Sequence, residues 1–143
     1  MTTLNTLRDI AVEEIAPGYN LAQYLGFSLL INMENGYVNA THLCKQSEKK
    51  KEFFNWIRLD VAKEIIDDLA TSLHRRRDDL TEVVTGGQNV KIRGTYVHPH
   101  LVPVIAQWCS PKFRNRVAII LEDMAIREYK YKLAEANKEV VDL

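Results

Sequence analysis

Apolar residues recur along this chain at two different spacings, and the change between them marks its elements. Between residues 27 and 39 they come in short runs. Phe27-Ser-Leu-Leu-Ile-Asn32 is followed by a polar break, Met33-Glu-Asn-Gly36, and then by Tyr37-Val-Asn39. Two short strands joined by a turn at Asn35-Gly36 are the expected product. Asn39 stands where its side chain can accept from free N–H groups of a first helical turn, so a short helix is expected through Lys45. After Gln46-Ser-Glu48 the spacing becomes three and four. Phe54, Ile57, Val61, Ile65, Leu69 and Leu73 form one apolar stripe in a helix from Lys49 onward, with Lys50, Lys51, Asn55 and Arg58 largely off it.

Arg75-Arg-Arg-Asp-Asp79 reads as a charged connection. Beyond it, Thr81 to Thr85 and Val90 to Val97 flank Gly86-Gly-Gln-Asn89 and predict a second hairpin with a polar tip, its second arm basic through Lys91 and Arg93. His98-Pro99 opens a helix from Leu101 to Trp108, and Ser110-Pro111 opens a long final one. In that last helix Val117, Ile120, Leu121 and Met124 form a core-facing stripe. Farther along, Ile119, Ile126, Leu133 and Val140 recur every seven residues, with Tyr129, Ala136 and Leu143 three positions after the last three of them, as in a coiled-coil seam that Glu122 interrupts. At the other end of the chain, Leu4, Leu7, Val12 and Ile15 fit helical spacing loosely and predict a helix before the Pro17-Gly18 turn.

Composition narrows the classes. With 46% of 143 residues apolar, the chain suffices for one domain with a single core. No apolar run approaches the roughly 18 residues that cross a bilayer, and the first residues lack the pattern of a signal peptide, so a soluble intracellular protein without a membrane partner is expected. Cys44 and Cys109, too few for a disulfide scaffold, read as reduced core residues whose mutual distance the sequence does not define. Formal charge sums to zero, yet residues 37–118 carry 14 basic and 9 acidic side chains, and the flanks carry the opposite excess. A basic centre between acidic ends is compatible with a binding face for phosphates.

Three separated strings in order, Gly36-Tyr-Val-Asn-Ala-Thr-His-Leu-Cys-Lys45 with Phe54-Asn-Trp56, Gly94-Thr-Tyr-Val-His-Pro99 and Ile105-Ala-Gln-Trp-Cys-Ser-Pro111, resemble the KilA-N domain. That family occurs in bacteriophages and large eukaryotic DNA viruses and is related in fold to the DNA-binding domains of fungal APSES transcription factors. The resemblance implies an α+β fold in which a helix-turn-helix and a β-hairpin wing present one DNA-facing surface. Residues 1–24 would be an N-terminal segment, 25–120 the domain, and 121–143 a C-terminal helical extension. It further implies viral or phage regulation with duplex DNA as partner, Thr41 to Lys45 as first helix, Lys49 to Arg58 as recognition helix and Gln88 to Arg93 as wing. On this reading Lys45, Lys49, Lys50, Lys51, Lys91 and Arg93 neutralise phosphates, and Asn55, Arg58, Gln88 and Asn89 reach base edges. Two departures from the usual pattern are His100 after His98-Pro99, and Lys112-Phe-Arg-Asn-Arg116 after Pro111. Arg75, Arg76 and Arg77 inherit no role.

The same residues admit other readings. Tyr37, Cys44, Phe54, Trp56, Tyr96 and Trp108 are assigned to the core, and stacking of single-stranded nucleic acid would need several of them exposed. Asn39 and Thr41 are assigned to capping. His42-x-Cys44 and His98-x-His100 lack zinc-finger spacing, no glycine-rich loop cradles a nucleotide, and Asp67-Asp68 and Asp78-Asp79 read as solvated charge, so neither a metal, a cofactor nor an enzyme is expected. The competing function is a protein-interaction module that uses the C-terminal helix, which could also join two copies as a homodimer.

Overall fold

The computed structural model describes residues 10–142 apart from residues 50, 86 and 88, with no side-chain description for 139–142. Its centre is a six-stranded antiparallel sheet ordered β1-β2-β3-β4-β6-β5. The strands are β1 (Ala11–Ala16), β2 (Tyr19–Tyr24), β3 (Phe27–Asn32), β4 (Val38–Asn39), β5 (Thr81–Val84) and β6 (Gly94–Val97). The helices are α1 (Ala40–Lys45), α2 (Phe53–Ile57), α3 (Asp60–Leu73), α4 (Val102–Cys109) and α5 (Pro111–Asp142). Fold class and the long C-terminal helix are as the sequence pattern and the resemblance lead one to expect.

Strand β3 lies inside the sheet and is apolar on both faces, because successive side chains point to opposite sides. Phe27, Leu29 and Ile31 join the main core with α1, α3, α4 and α5, whereas Leu30 meets Tyr37 and Tyr96 in a smaller cluster. Leu25 and Gly26, both at positive φ, close the two-residue turn between β2 and β3. The expected hairpin after it is present, with Ile31 opposite Val38.

Four expectations change. The helix expected before Pro17 is strand β1 from Ala11 onward, and its earlier residues lie outside the described ones. Val12 packs in the main core and Ile15 against the smaller cluster, so a spacing of three places them on opposite faces of a strand. The register shift between Glu14 and Ala16 further blurs the two-residue alternation.

The single helix expected from Lys49 is two. Extended backbone at Leu59 separates α2 from α3. A straight continuation of the face carrying Phe53 and Trp56 would turn Asp60, Lys63 and Asp67 inward. The break lets Ala62, Ile66 and Ala70 reach the core instead. Phe54 and Val61, expected in the core, are consequently 52% and 55% exposed. Finally, Val90–Ile92 forms a 3-10 turn rather than the start of a strand.

Helix α5 rests on the core through Val117 and Ile120. One turn on, the buried Asp123 carboxylate pairs with Arg127 at 2.7 Å, and Arg127 Nη2 also donates to the Ile10 carbonyl at 3.0 Å. This clasp fixes α5 to the start of β1. From residue 128 to 138 every side chain is exposed. No helix among the described residues is long and apolar enough to cross a membrane.

Candidate nucleic-acid interface

Asn39, fully buried at the end of β4, organises the region where helices and the β5–β6 hairpin meet. Its Oδ1 accepts from His42 N–H at 2.8 Å, capping α1, while its Nδ2 donates to the Arg93 carbonyl at 3.0 Å. Within the first turn of α1, Thr41 Oγ1 accepts from Thr95 N–H at 3.1 Å. Two consecutive ties thus hold the first turn of α1 against the start of β6. Thr41 therefore bonds across to the hairpin rather than capping its own helix. The hairpin is braced from within. Tyr96 donates its hydroxyl to the Ile92 carbonyl at 2.7 Å, and burial pushes that phenol up to about 12, so it remains a donor at neutral pH.

The far side of α1 is tied to β3. Gln46 accepts from Ser28 N–H at 2.8 Å and donates back to the Ser28 carbonyl at 2.7 Å. Ser28 Oγ lies 2.8 Å from His42 Nε2. Burial, reinforced by the charge of Lys45, holds His42 below its ordinary pKa and keeps the ring neutral.

Between α1, the start of α2 and β6 lies a groove of about 420 Å3, lined by Thr41, Lys45, Lys51, Glu52, Phe53, Phe54 and Thr95. Phe53 stacks on Trp56 at 6.0 Å between centroids, which turns the adjacent Phe54 outward into this groove. Of the residues named from the sequence, Lys45 and Lys51 line it together. Asn55 and Arg58 are exposed on α2 and its C-terminal cap, outside the groove lining. Lys49 is exposed and lines a second concavity instead.

Several of these residues have partners within the chain. Lys51 Nζ donates to the Trp108 carbonyl at 2.7 Å and sits 4.6 Å from the centre of that indole. Asn89 accepts from Lys91 N–H at 3.0 Å, and Arg93 Nε donates to the Thr85 carbonyl at 2.9 Å, closing the hairpin loop. The Lys91 side chain is exposed. Lys50 and Gln88 lie outside the described residues. Sequence reasoning passed over Thr95 and the outward Phe54. For Phe54 the signal was available, since of the Phe53-Phe54 pair only Phe53 shares a helical face with Trp56. Among the described residues, no three His, Cys, Asp or Glu side chains converge as a metal site would require.

The sequence that builds this arrangement matches a known family. The KilA-N domain profile matches residues 22–127, and the chain belongs to that family, which is generally associated with DNA-binding regulation. The chain is 33% identical over 141 residues to KilA-N domain-containing protein L4 of Acanthamoeba polyphaga mimivirus, covering 96% of this chain and 31% of that protein. With KilA-N domain-containing protein R878 of the same virus it shares 37% over 120 residues, 82% of this chain and 34% of the relative. With KilA-N domain-containing protein 006L of invertebrate iridescent virus 6 it shares 25% over 131 residues, 89% of this chain and 37% of the relative. These relatives belong to large DNA viruses, and the chain spans about a third of their length. No solved structure matches the chain at a significant level.

Proposed function

We propose that this chain binds duplex DNA, with α1 and α2 as a helix-turn-helix, α2 offered to the major groove and the β5–β6 hairpin as a wing. The observation that carries the reading is the groove shared by α1, α2 and β6, with Lys45 and Phe54 on its walls. A helix and a hairpin held at fixed separation can engage a base-pair edge and a neighbouring phosphate together. Lys45, Lys49 and Lys91 are the phosphate contacts with exposed ammonium groups, and Lys50 belongs with them by sequence. Asn55, Arg58 and Gln88 are the candidates for base edges. Lys51, Asn89 and Arg93 act first by shaping the site, given their partners within the chain. All of these contacts lie within residues 25–120.

Fluorescence anisotropy against random duplex DNA, single-stranded DNA and duplex RNA at several salt concentrations tests the reading. Duplex DNA should bind tightest, with log affinity falling linearly in log salt. Equal, weak and salt-independent binding to all three would overturn it.

A second role rests on α5. Tyr129, Tyr131 and Leu133 are 66%, 68% and 47% exposed, on a stretch of helix that no other element covers among the described residues. Ile126, Tyr129, Leu133 and Ala136 follow heptad spacing, so this face suits a second copy and would set two DNA-binding surfaces at a fixed spacing. Sedimentation velocity should show a dimer, and a monomer at all concentrations removes this role.

A further inference from the structure

A second concavity, of about 520 Å3, lies between the α1–α2 turn and the junction of α4 with α5. Lys49, Lys51, Lys112 and Arg116 line it, against Glu48 as the single acidic residue there. Lys112 and Arg116 come from the basic string after Pro111, which the DNA-binding reading leaves without a task. Cys109, the last residue of α4, also lines this cavity and is 7% exposed. Behind it Cys44 of α1 is fully buried, its Sγ 3.3 Å from that of Cys109. Both cysteines are free thiols.

We propose that Cys109 and Cys44 form a thiol–disulfide exchange pair, with Cys109 as the attacking sulfur and the cationic cavity as the entry for small disulfides that carry carboxylates. Three features converge on this assignment: one thiol reaches a cavity, four cations surround that cavity, and a second thiol waits at hydrogen-bond distance behind the first. In the neutral pair Cys109 donates to Cys44. When one proton leaves, it leaves Cys109. A hydrogen bond from Cys44 and the nearby Lys51 charge stabilise the Cys109 thiolate, lowering its pKa against the opposing effect of burial. That same hydrogen bond, together with burial, holds the Cys44 proton well above the ordinary thiol range.

The exchange balances in two steps. The Cys109 thiolate attacks one sulfur of the incoming disulfide, forming a mixed disulfide and expelling the first external thiolate, which takes up the proton Cys109 released to solvent. Cys44 Sγ then attacks Cys109 Sγ, and the second external sulfur leaves with the Cys44 proton. Two protein thiols become one disulfide, and one external disulfide becomes two thiols. The sulfurs must close from 3.3 Å to the ~2.05 Å of a bond. The product ties α1 covalently to α4.

The test incubates the native chain with oxidised glutathione, traps residual thiols by alkylation and reads masses. The wild-type chain should lose both alkylatable thiols and end lighter by two hydrogens. Cys44→Ser should stop at a glutathione adduct on Cys109, and Cys109→Ser should not react. Lys112→Glu with Arg116→Glu should slow the reaction about tenfold, yet leave the neutral probe 2-hydroxyethyl disulfide within about twofold. If the serine variants fail to fold, the wild-type chain still decides. Its preference for the anionic probe over the neutral one should shrink as salt rises. Thiols that remain alkylatable after native incubation, wild-type rates in Cys109→Ser, or no preference for the anionic probe would each overturn the proposal.

Discussion

A methyl group added to Gly94 would sit 2.5 Å from Oδ1 and 2.7 Å from Nδ2 of Asn39. The strand that begins the hairpin's return and the residue that caps α1 are therefore in direct contact, and neither can move without the other. Asn39 cannot swing aside, since both ends of its amide are bonded and its side chain is buried. Gly94 also has φ 146, which an L side chain rarely adopts. Gly94→Ala is expected to cost about 2–3 kcal/mol in chemical denaturation. A loss under about 0.5 kcal/mol would mean that the contact is soft.

Asn39→Ala removes the cap of α1 and leaves the Arg93 carbonyl without its donor. The cap contributes ~1 kcal/mol and an unsatisfied carbonyl about 1–3 kcal/mol. The combined destabilisation should reach about 2–4 kcal/mol. Asn39→Asp keeps the cap acceptor but sets a carboxyl oxygen against the Arg93 carbonyl in a buried place. It should therefore be no more stable than Asn39→Ala at neutral pH, and full recovery would remove the Arg93 bond from the account.

The cations of the proposed interface divide by what they already hold. Lys45→Ala and Lys91→Ala should each weaken DNA binding for all sequences and reduce the salt slope by about one unit, leaving stability within ~0.5 kcal/mol. Lys51→Ala should behave differently, because its ammonium is bonded to Trp108 and stacked on the indole. It should lower stability by about 1–2 kcal/mol as well as affinity. Identical thermal denaturation of the Lys45 and Lys51 variants would contradict this division.

Acid should weaken the fold early. His42 is held below its ordinary 6.5 by burial and by Lys45, and His98 by burial, His100 and Arg75. As pH falls through 6.5, the unfolded chain binds these protons before the folded one does, so stability is complete above 6.5 and declines below it. The melting temperature should therefore drop between about pH 7 and about pH 5.5. His42→Gln should flatten part of that slope, and an unchanged slope would remove His42 from the account.

Cutting the chain after residue 127 retains the clasp of Asp123, Arg127 and Ile10, and the side chains it removes from 128 to 138 are all exposed. The shortened chain should melt within a few degrees of the full one. Any dimer seen with the full chain should be lost, whereas monomeric DNA binding should persist.

Much of this architecture could be read from residue order, and the exceptions have local causes. The hairpin at Asn35-Gly36 and the Asn39 cap were legible because their determinants sit within a few residues of each other. Strand β1 was not, since Val12 and Ile15 serve two different clusters across the sheet. Strand β2 carries the apolar residues Tyr19, Leu21, Ala22 and Tyr24, split between both faces, and offers no clean period. The break at Leu59 was hidden because α2 and α3 each have a regular face, and only their phase differs. In the candidate site, which lysines would be free depended on distant partners. Nothing near Lys51 in the sequence announces the Trp108 carbonyl, 57 residues away.

Helix α5 contains no glycine or proline after Pro111 and runs for 32 residues, about 48 Å at 1.5 Å per residue. Such a rod has no hinge. A push or twist applied to its outer turns is passed along the helix to Asp123 and Arg127, and through the Ile10 carbonyl to the first strand of the sheet. The helix is thus a lever with its fulcrum in the core, and a load on its far end is felt by the edge of the sheet opposite the β5–β6 hairpin.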